Sequence, residues 1–178
     1  QKGNAAGMCL PSFSAKVGGP LFAGDTSLGW LNVNLNGQRY ANEICSLPMG
    51  CYSVMNQPEC VGYSIFDGDY EEKLLAQNPS GLGLGGVPQL TDELPEKMKT
   101  AKENGYFFEA DSIEALAEAI GAPADTLRKT VDHYNELCAK GVDDDYGKPA
   151  KYLTTIEKPP FYASRVKCAL LVCPRSEE

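Results

Sequence analysis

The chain is short of basic charge. Sixteen Lys and Arg stand against 24 Asp and Glu, giving a net charge of −8 and a pI near 4.7. Nucleic acid and anionic membrane surfaces are held by basic patches, so neither is expected as a main partner. Long apolar runs are missing as well. Nothing in the chain approaches the ~18–20 apolar residues of a membrane span, so no membrane span is expected. Histidine occurs once, at His133. Cysteine ligands at finger spacing are absent around it, so no metal site is expected. C-x-x-C is also absent. The seven cysteines (Cys9, Cys45, Cys51, Cys60, Cys138, Cys168 and Cys173) are odd in number and widely spaced. That is no disulfide framework, and mostly buried free thiols are expected. No Ser/His/Asp arrangement completes a catalytic site, so the catalytic residue stays unassigned.

The 178 residues are 43% hydrophobic, enough for one packed domain. Residues 1–29 read as an irregular Gly-rich lead-in with a turn at Gly18-Gly19-Pro20. Residues 30–172 read as the domain, and residues 173–178 as a tail. The opening QKGNAAGMCLPSFSAK has neither an initiator Met nor a signal-peptide core, so the expectation is a segment of a longer polypeptide.

The most informative stretch is WLNVNLNGQRYANE, residues 30–43. An apolar-rich run meets Asn36-Gly37, and a second short run, Arg39-Tyr40-Ala41, leads into Asn42-Glu43. Asn-Gly between two such runs predicts a β-hairpin. A short helix is predicted over 48–56 with Pro48 in its first turn, followed by a stop at Pro58. Strands are predicted over 61–66, 106–109, 161–166 and 168–172, and helices over 70–77 and 91–104. Asp111, with Glu114 three residues on, is expected to open a helix closed by Gly121. Pro123 starts another, closed by Gly141, with Leu127, Val131, Tyr134 and Cys138 on its buried stripe. The two helices, joined by about two residues, predict a helical hairpin. Strands and helices mix without a β-α-β rhythm. The fold class is therefore α+β, a small mixed or antiparallel sheet with packed helices.

Two tempting sites fail on context. The glycines of NPSGLGLGGVP, residues 78–88, lack the preceding strand and following helix of a phosphate loop, and read as a surface loop. Asp143-Asp144-Asp145 lacks the ligand alternation of a calcium loop and reads as a polar loop after a helix. His133 reads as a solvated flank of its helix.

Four stretches in order carry a resemblance. They are Asn36 to Glu43, Tyr63 to Asp67, Asp111 to Pro149, and Pro159-Pro160-Phe161-Tyr162-Ala163. Over about residues 28–172 the chain resembles the capping domain of the FAD-dependent fumarate reductase, urocanate reductase and 3-ketosteroid dehydrogenase superfamily. The resemblance implies FAD as cofactor, bound mainly by a domain absent from this chain. That FAD-binding domain and a small unsaturated organic substrate are the implied partners. It implies hydride transfer between flavin and an activated C=C bond, with the capping domain closing over the substrate. Alone, the chain would be colourless and inactive. The family's His-Thr-x-Gly-Gly motif, which would follow the last strand, is not reached.

By position, the resemblance assigns Arg39, Asn42 and Glu43 to the flavin side and Ser46, Leu47 and Tyr52 to the substrate. Arg39 and Glu43 equally suit an ion pair that only stabilises the hairpin end, and Leu47, Cys51 and Tyr52 equally suit the core of a short helix. Leu47 stands where fumarate reductases carry a proton-donating Arg, and Phe22, Ala23 and Thr26 stand where that family contacts a dicarboxylate. An apolar residue there removes a partner for a substrate carboxylate, so fumarate is not expected. Tyr52, Ser46, Tyr40 and Cys45 are the nearby candidates for a proton donor. A non-catalytic binding domain of the same lineage, or an unrelated α+β interaction domain, is the alternative.

Overall fold

The structure is a computed structural model that describes residues 8–11, 29–82 and 89–171. The fold is α+β, with five strands and five α-helices among the described residues. The strands are β1 (Met8–Pro11), β2 (Leu31–Asn34), β3 (Val61–Phe66), β4 (Phe107–Ala110) and β5 (Phe161–Leu171). The helices are α1 (Leu47–Met55), α2 (Tyr70–Gln77), α3 (Leu94–Glu103), α4 (Ile113–Ile120) and α5 (Ala124–Lys140). The sheet runs β1-β5-β3-β2, with β4 also on β5, and every pairing is antiparallel.

Strand alternation divides the core into two layers. Leu31, Val33, Tyr63, Ile65 and Ala163 face Ile113, Leu116, Leu127 and Val131 of α4 and α5. The intervening residues Trp30 and Phe66 join Leu74 of α2, Leu94 and Ala101 of α3, and Phe107. The period-2 pattern sends successive side chains to opposite faces, so a strand covered by helices on both sides is buried throughout. All six residues of β3 are buried. The predicted helical hairpin forms. Gly121 and Gly141 close its two helices with φ of 74° and 72°, a conformation open to glycine without a Cβ penalty.

Several local expectations shift. The turn at Asn36-Gly37 forms, with Gly37 N–H donating to the Asn34 carbonyl and Asn34 N–H to that of Gln38. Gly37 sits at φ 73°, as a three-residue hairpin loop needs. Yet the second arm contributes only the bridge Val33–Arg39, and β2 pairs over its whole length with β3. The two strands predicted over 161–166 and 168–172 are one, β5, because β3 and β4 pair with its first part and β1 with its end. That β1 lies within the segment read as irregular; its ladder partner is more than 150 residues away. The α4 cap is Ser112, whose hydroxyl accepts from Ala115 N–H, rather than Asp111. The helix predicted from Thr91 begins at Leu94, with Pro95 in its first turn, where a missing N–H costs nothing. The glycine loop follows a helix, α2, and not a strand. Its residues 83–88 lie outside the described ones.

Candidate functional site

The hairpin loop rests on α5. A Cβ on Gly37 would come within 3.0 Å of the Leu127 backbone nitrogen, and Thr130 Oγ1 donates to the Gly37 carbonyl at 2.6 Å. This contact delivers Arg39 into the angle between α5 and the loop that follows it. There its guanidinium forks twice. Nε and Nη2 donate to Glu43 at 2.9 Å each, and Nη1 and Nη2 donate to Asp143 at 2.9 and 2.8 Å. The rings of Tyr134 and Tyr146 lie 5.2 and 5.0 Å from the guanidinium carbon, within cation–π range.

Lys148 completes the cluster. Its Nζ donates to Gly29 O and Tyr134 Oη at 2.6 Å and lies 3.2 Å from Glu43. The side chains of Arg39, Glu43, Asp143 and Lys148 are 6%, 1%, 0% and 0% exposed. Two cations and two anions thus balance in a buried site, the arrangement in which buried charge is tolerated. Burial works against the Arg39 charge, but hydrogen bonds to Glu43 and Asp143 outweigh it and hold the guanidinium more firmly protonated than usual. Burial likewise opposes the Asp143 charge, yet bonds from Arg39 and from the Lys148 and Tyr146 amides bring its carboxyl down to about 2. Burial pushes the Lys148 ammonium below the usual lysine range, against the pull of Glu43.

The cluster holds the chain that leads into α1. Glu43 Oε1 accepts from Asn32 N–H at 3.2 Å. Asn42 donates to the Tyr146 carbonyl at 3.1 Å and accepts from Ile44 N–H at 2.8 Å. The polar atoms of Arg39, Asn42 and Glu43 are therefore engaged within the chain. Three residues later α1 begins, with Ser46 as its N-cap and no side-chain cap bond.

Helix α1 carries no charged residue. It buries Cys51 and Val54 and exposes Met49, Tyr52 and Met55 at 57%, 62% and 50%. Ser46 is exposed beside them. Of the predicted substrate residues, Ser46 and Tyr52 are thus both exposed, while the Leu47 side chain lies outside what is described. Cys51 belongs to the core. The predicted proton donors separate in the same way. Tyr40 packs on β3, where a Cβ on Gly62 would fall 2.5 Å from its hydroxyl. The Cys45 thiol is pushed up by burial and by Glu43, and so stays protonated at neutral pH. Phe22, Ala23 and Thr26 lie outside the described residues.

An open groove of about 550 Å³ lies beside Arg39, lined among others by Gln38, Lys129, Thr130, His133 and Asp145; no residue of α1 lines it. His133 is exposed on its helix, as expected, with Nε2 at 2.9 Å from Asp145. Among the described residues no Ser or Cys lines the groove, and the hydroxyl of Thr130, which does, is engaged by the Gly37 carbonyl. Among the described residues Cys51 is buried, Cys45 and Cys138 are half-buried and Cys60 is exposed, so burial is less general than expected. Among the described residues no His, Cys, Asp or Glu group could hold a metal ion. No described helix is long and apolar enough to cross a membrane.

Sequence reasoning missed Asp143 and Lys148 as partners of the hairpin. One was read as loop polarity and the other carried no separate reading. Their separation from Arg39 and Glu43 along the chain leaves no local signal.

No family model matches the chain. It is 29% identical over 147 residues to a vinyl phenol reductase of Lactiplantibacillus plantarum, covering 79% of this chain and 29% of that protein. It is 28% identical over 176 residues to a 3-oxosteroid 1-dehydrogenase of Mycolicibacterium smegmatis, covering 84% of this chain and 29% of that one. The chain thus spans under a third of the curated relatives it matches. The solution NMR structure of a fumarate reductase flavoprotein subunit from Lactobacillus plantarum superposes with a TM-score of 0.61 at 24% identity, covering 96% of both chains. The chain is thus similar in sequence to a vinyl phenol reductase and a 3-oxosteroid 1-dehydrogenase, and its antiparallel α+β fold is that of fumarate reductase-like flavoproteins.

Proposed function

We propose that the chain is the substrate-capping domain of an FAD-dependent oxidoreductase that acts on an activated C=C bond in a substrate other than fumarate. The observation that carries this is α1: a charge-free helix, set directly after an anchored loop, with Met49, Tyr52 and Met55 turned outward. Such a surface suits an apolar or aromatic unsaturated molecule. A dicarboxylate would leave its charges facing Met and Tyr, and an unpaired buried charge costs several kcal/mol.

Arg39, Asn42 and Glu43 serve this reading by fixing the segment that leads to α1. Their polar atoms are used internally, and no Gly-rich strand–turn–helix occurs among the described residues. On this reading FAD is held mainly by a domain outside this chain, with Arg39, Asn42 and Glu43 shaping the segment that faces it. FAD supplies hydride chemistry when bound; this chain's part is to orient the substrate and exclude water. The relatives named vinyl phenol reductase and 3-oxosteroid 1-dehydrogenase support an apolar substrate class. Because α1 offers one wall only, the substrate pocket is completed by the flavin-bearing domain.

The test is reoxidation of the dithionite-reduced full-length flavoprotein. A vinyl phenol or a steroid enone should reoxidise it and fumarate should not. Reoxidation by fumarate alone would overturn the substrate class. No reoxidation by any acceptor would favour a binding domain of the same lineage.

A further inference from the structure

Asp143 is the one carboxylate in its Asp-Asp-Asp run that is buried, and its oxygens do two tasks at once. They accept from the amides of Asp145, Tyr146 and Lys148 at 3.2, 3.3 and 2.9 Å, which ties the 143–148 loop into a knot. They also accept one fork of Arg39, from Nη1 and Nη2. The same knot aims Lys148 inward, where its ammonium meets Glu43, Tyr134 and the Gly29 carbonyl. It also presents the Tyr146 carbonyl to Asn42. Arg39, Asn42 and Glu43 therefore each have a partner on one loop more than a hundred residues away.

Past Glu43, α1 is held in the core from Cys51 onward, through Cys51 and Val54. Ile44 N–H is held by Asn42, and α1 starts at Leu47 without a side-chain cap. Helix ends without such partners fray, so the setting of the first turn of α1 depends on what holds Glu43.

We propose that Asp143 and Lys148 are positioning residues for the segment 42–50, fixing the first turn of α1, and with it Ser46 and Tyr52, for the substrate. The inference rests on the capping-domain reading for its functional meaning, but the positioning itself can be read without turnover.

The test compares two variants of the chain matched for loss of stability: Asp143→Asn, and the core variant Val131→Ala. Amide hydrogen exchange is measured along the chain. In Asp143→Asn, the amides of Ile44 and Gly50 should exchange at least tenfold faster relative to those of Ile65 and Ala163, and Val131→Ala should show no such local excess. The same pattern in both variants would overturn the proposal, because the network would then act only through global stability. Should Asp143→Asn not fold, Lys148→Arg keeps the charge and is judged by the same criterion. In the full-length flavoprotein the local loosening should appear as a rise in KM of severalfold larger than the fall in kcat. Local loosening with unchanged turnover would leave the positioning intact and would instead count against substrate contact at α1.

Discussion

Arg39 and Arg128 grip glutamates in nearly the same way. Arg39 makes two bonds of 2.9 Å to Glu43, and Arg128 makes bonds of 2.7 and 2.8 Å to Glu114. Geometry does not separate them, but surroundings do. The Arg39 and Glu43 side chains are 6% and 1% exposed, whereas those of Arg128 and Glu114 are 37% and 50% exposed. One pair sits in a buried, neutral cluster that anchors the approach to α1. The other braces the outer surface of the α4–α5 hairpin. The comparison teaches that bond length says little about what an ion pair does; desolvation and further partners decide it.

The strongest break of this comparison is to remove one carboxylate charge from each pair. Glu43→Gln leaves Arg39 and Lys148 buried with one anion between them, and should cost about 3–5 kcal/mol by urea denaturation. Glu114→Gln should cost far less, because water replaces the lost partner. Equal losses would mean that the Arg39 cluster is wetter than its burial indicates.

Acid sharpens the contrast. The Asp143 carboxyl lies at about 2 in the fold, below the ~3.9 of an ordinary aspartate. A depressed folded value means that the carboxylate stabilises the fold above the unfolded value. That contribution is lost as pH falls from about 4 to about 2, and it is on the order of 2 kcal/mol. Unfolding free energy measured over this window should decline, and Asp143→Asn should flatten the decline. Glu114 is also brought down to about 2, first by its bond from Arg128, but it is exposed and solvent screens it. Glu114→Gln should therefore change the slope less than Asp143→Asn does.

The two glycine turns beside these pairs offer a third, smaller test. Gly37 and Gly121 have φ of 73° and 74°, so alanine carries the same left-handed penalty of roughly 1–2 kcal/mol at either. Only at Gly37 would the new Cβ meet a neighbour, the Leu127 backbone at 3.0 Å; nothing lies within 4 Å at Gly121. Gly37→Ala should thus cost at least about 1 kcal/mol more than Gly121→Ala, the excess reporting how tightly the hairpin sits on α5.

The same contrast shows what was legible in the sequence. The α4–α5 hairpin could be read because its signals are local: an apolar stripe at helical spacing, a glycine after each helix and a short link. The Asn36-Gly37 turn was local too. What lay beyond reach was every relation set by packing at a distance. The arm after the turn was expected to pair with β2 as a strand, but it makes a single bridge at Arg39 while β3 pairs along the whole of β2, and no pattern within residues 30–43 names β3. β5 was read as two strands, 161–166 and 168–172; its continuity is set by neighbours distant in sequence, β3 and β4 along its first part and β1 at its end. At the site, the motif drew attention to Arg39, Asn42 and Glu43, yet their partners in the 143–148 loop are specified only by the folded chain. Asp143 and Asp144 are identical in sequence terms and opposite in environment, one buried and the other exposed.

Salt gives the smallest effect and the finest cut. Exposed charges interact over the Debye length, which shrinks from ~30 Å at about 0.01 M salt to ~3 Å at about 1 M. The cost of Glu114→Gln, already small, should shrink further across that range as ions replace Arg128 at the carboxylate. The cost of Glu43→Gln should hold steady, since no ion reaches a side chain 1% exposed. Urea titrations of both variants and the parent at the two ionic strengths would measure the four differences, corrected for the parent's own salt response. A salt-sensitive Glu43→Gln would show that the cluster opens to solvent on the time scale of unfolding, and the anchoring assigned to it would then have to come from the packing of Tyr134 and Tyr146 around Arg39.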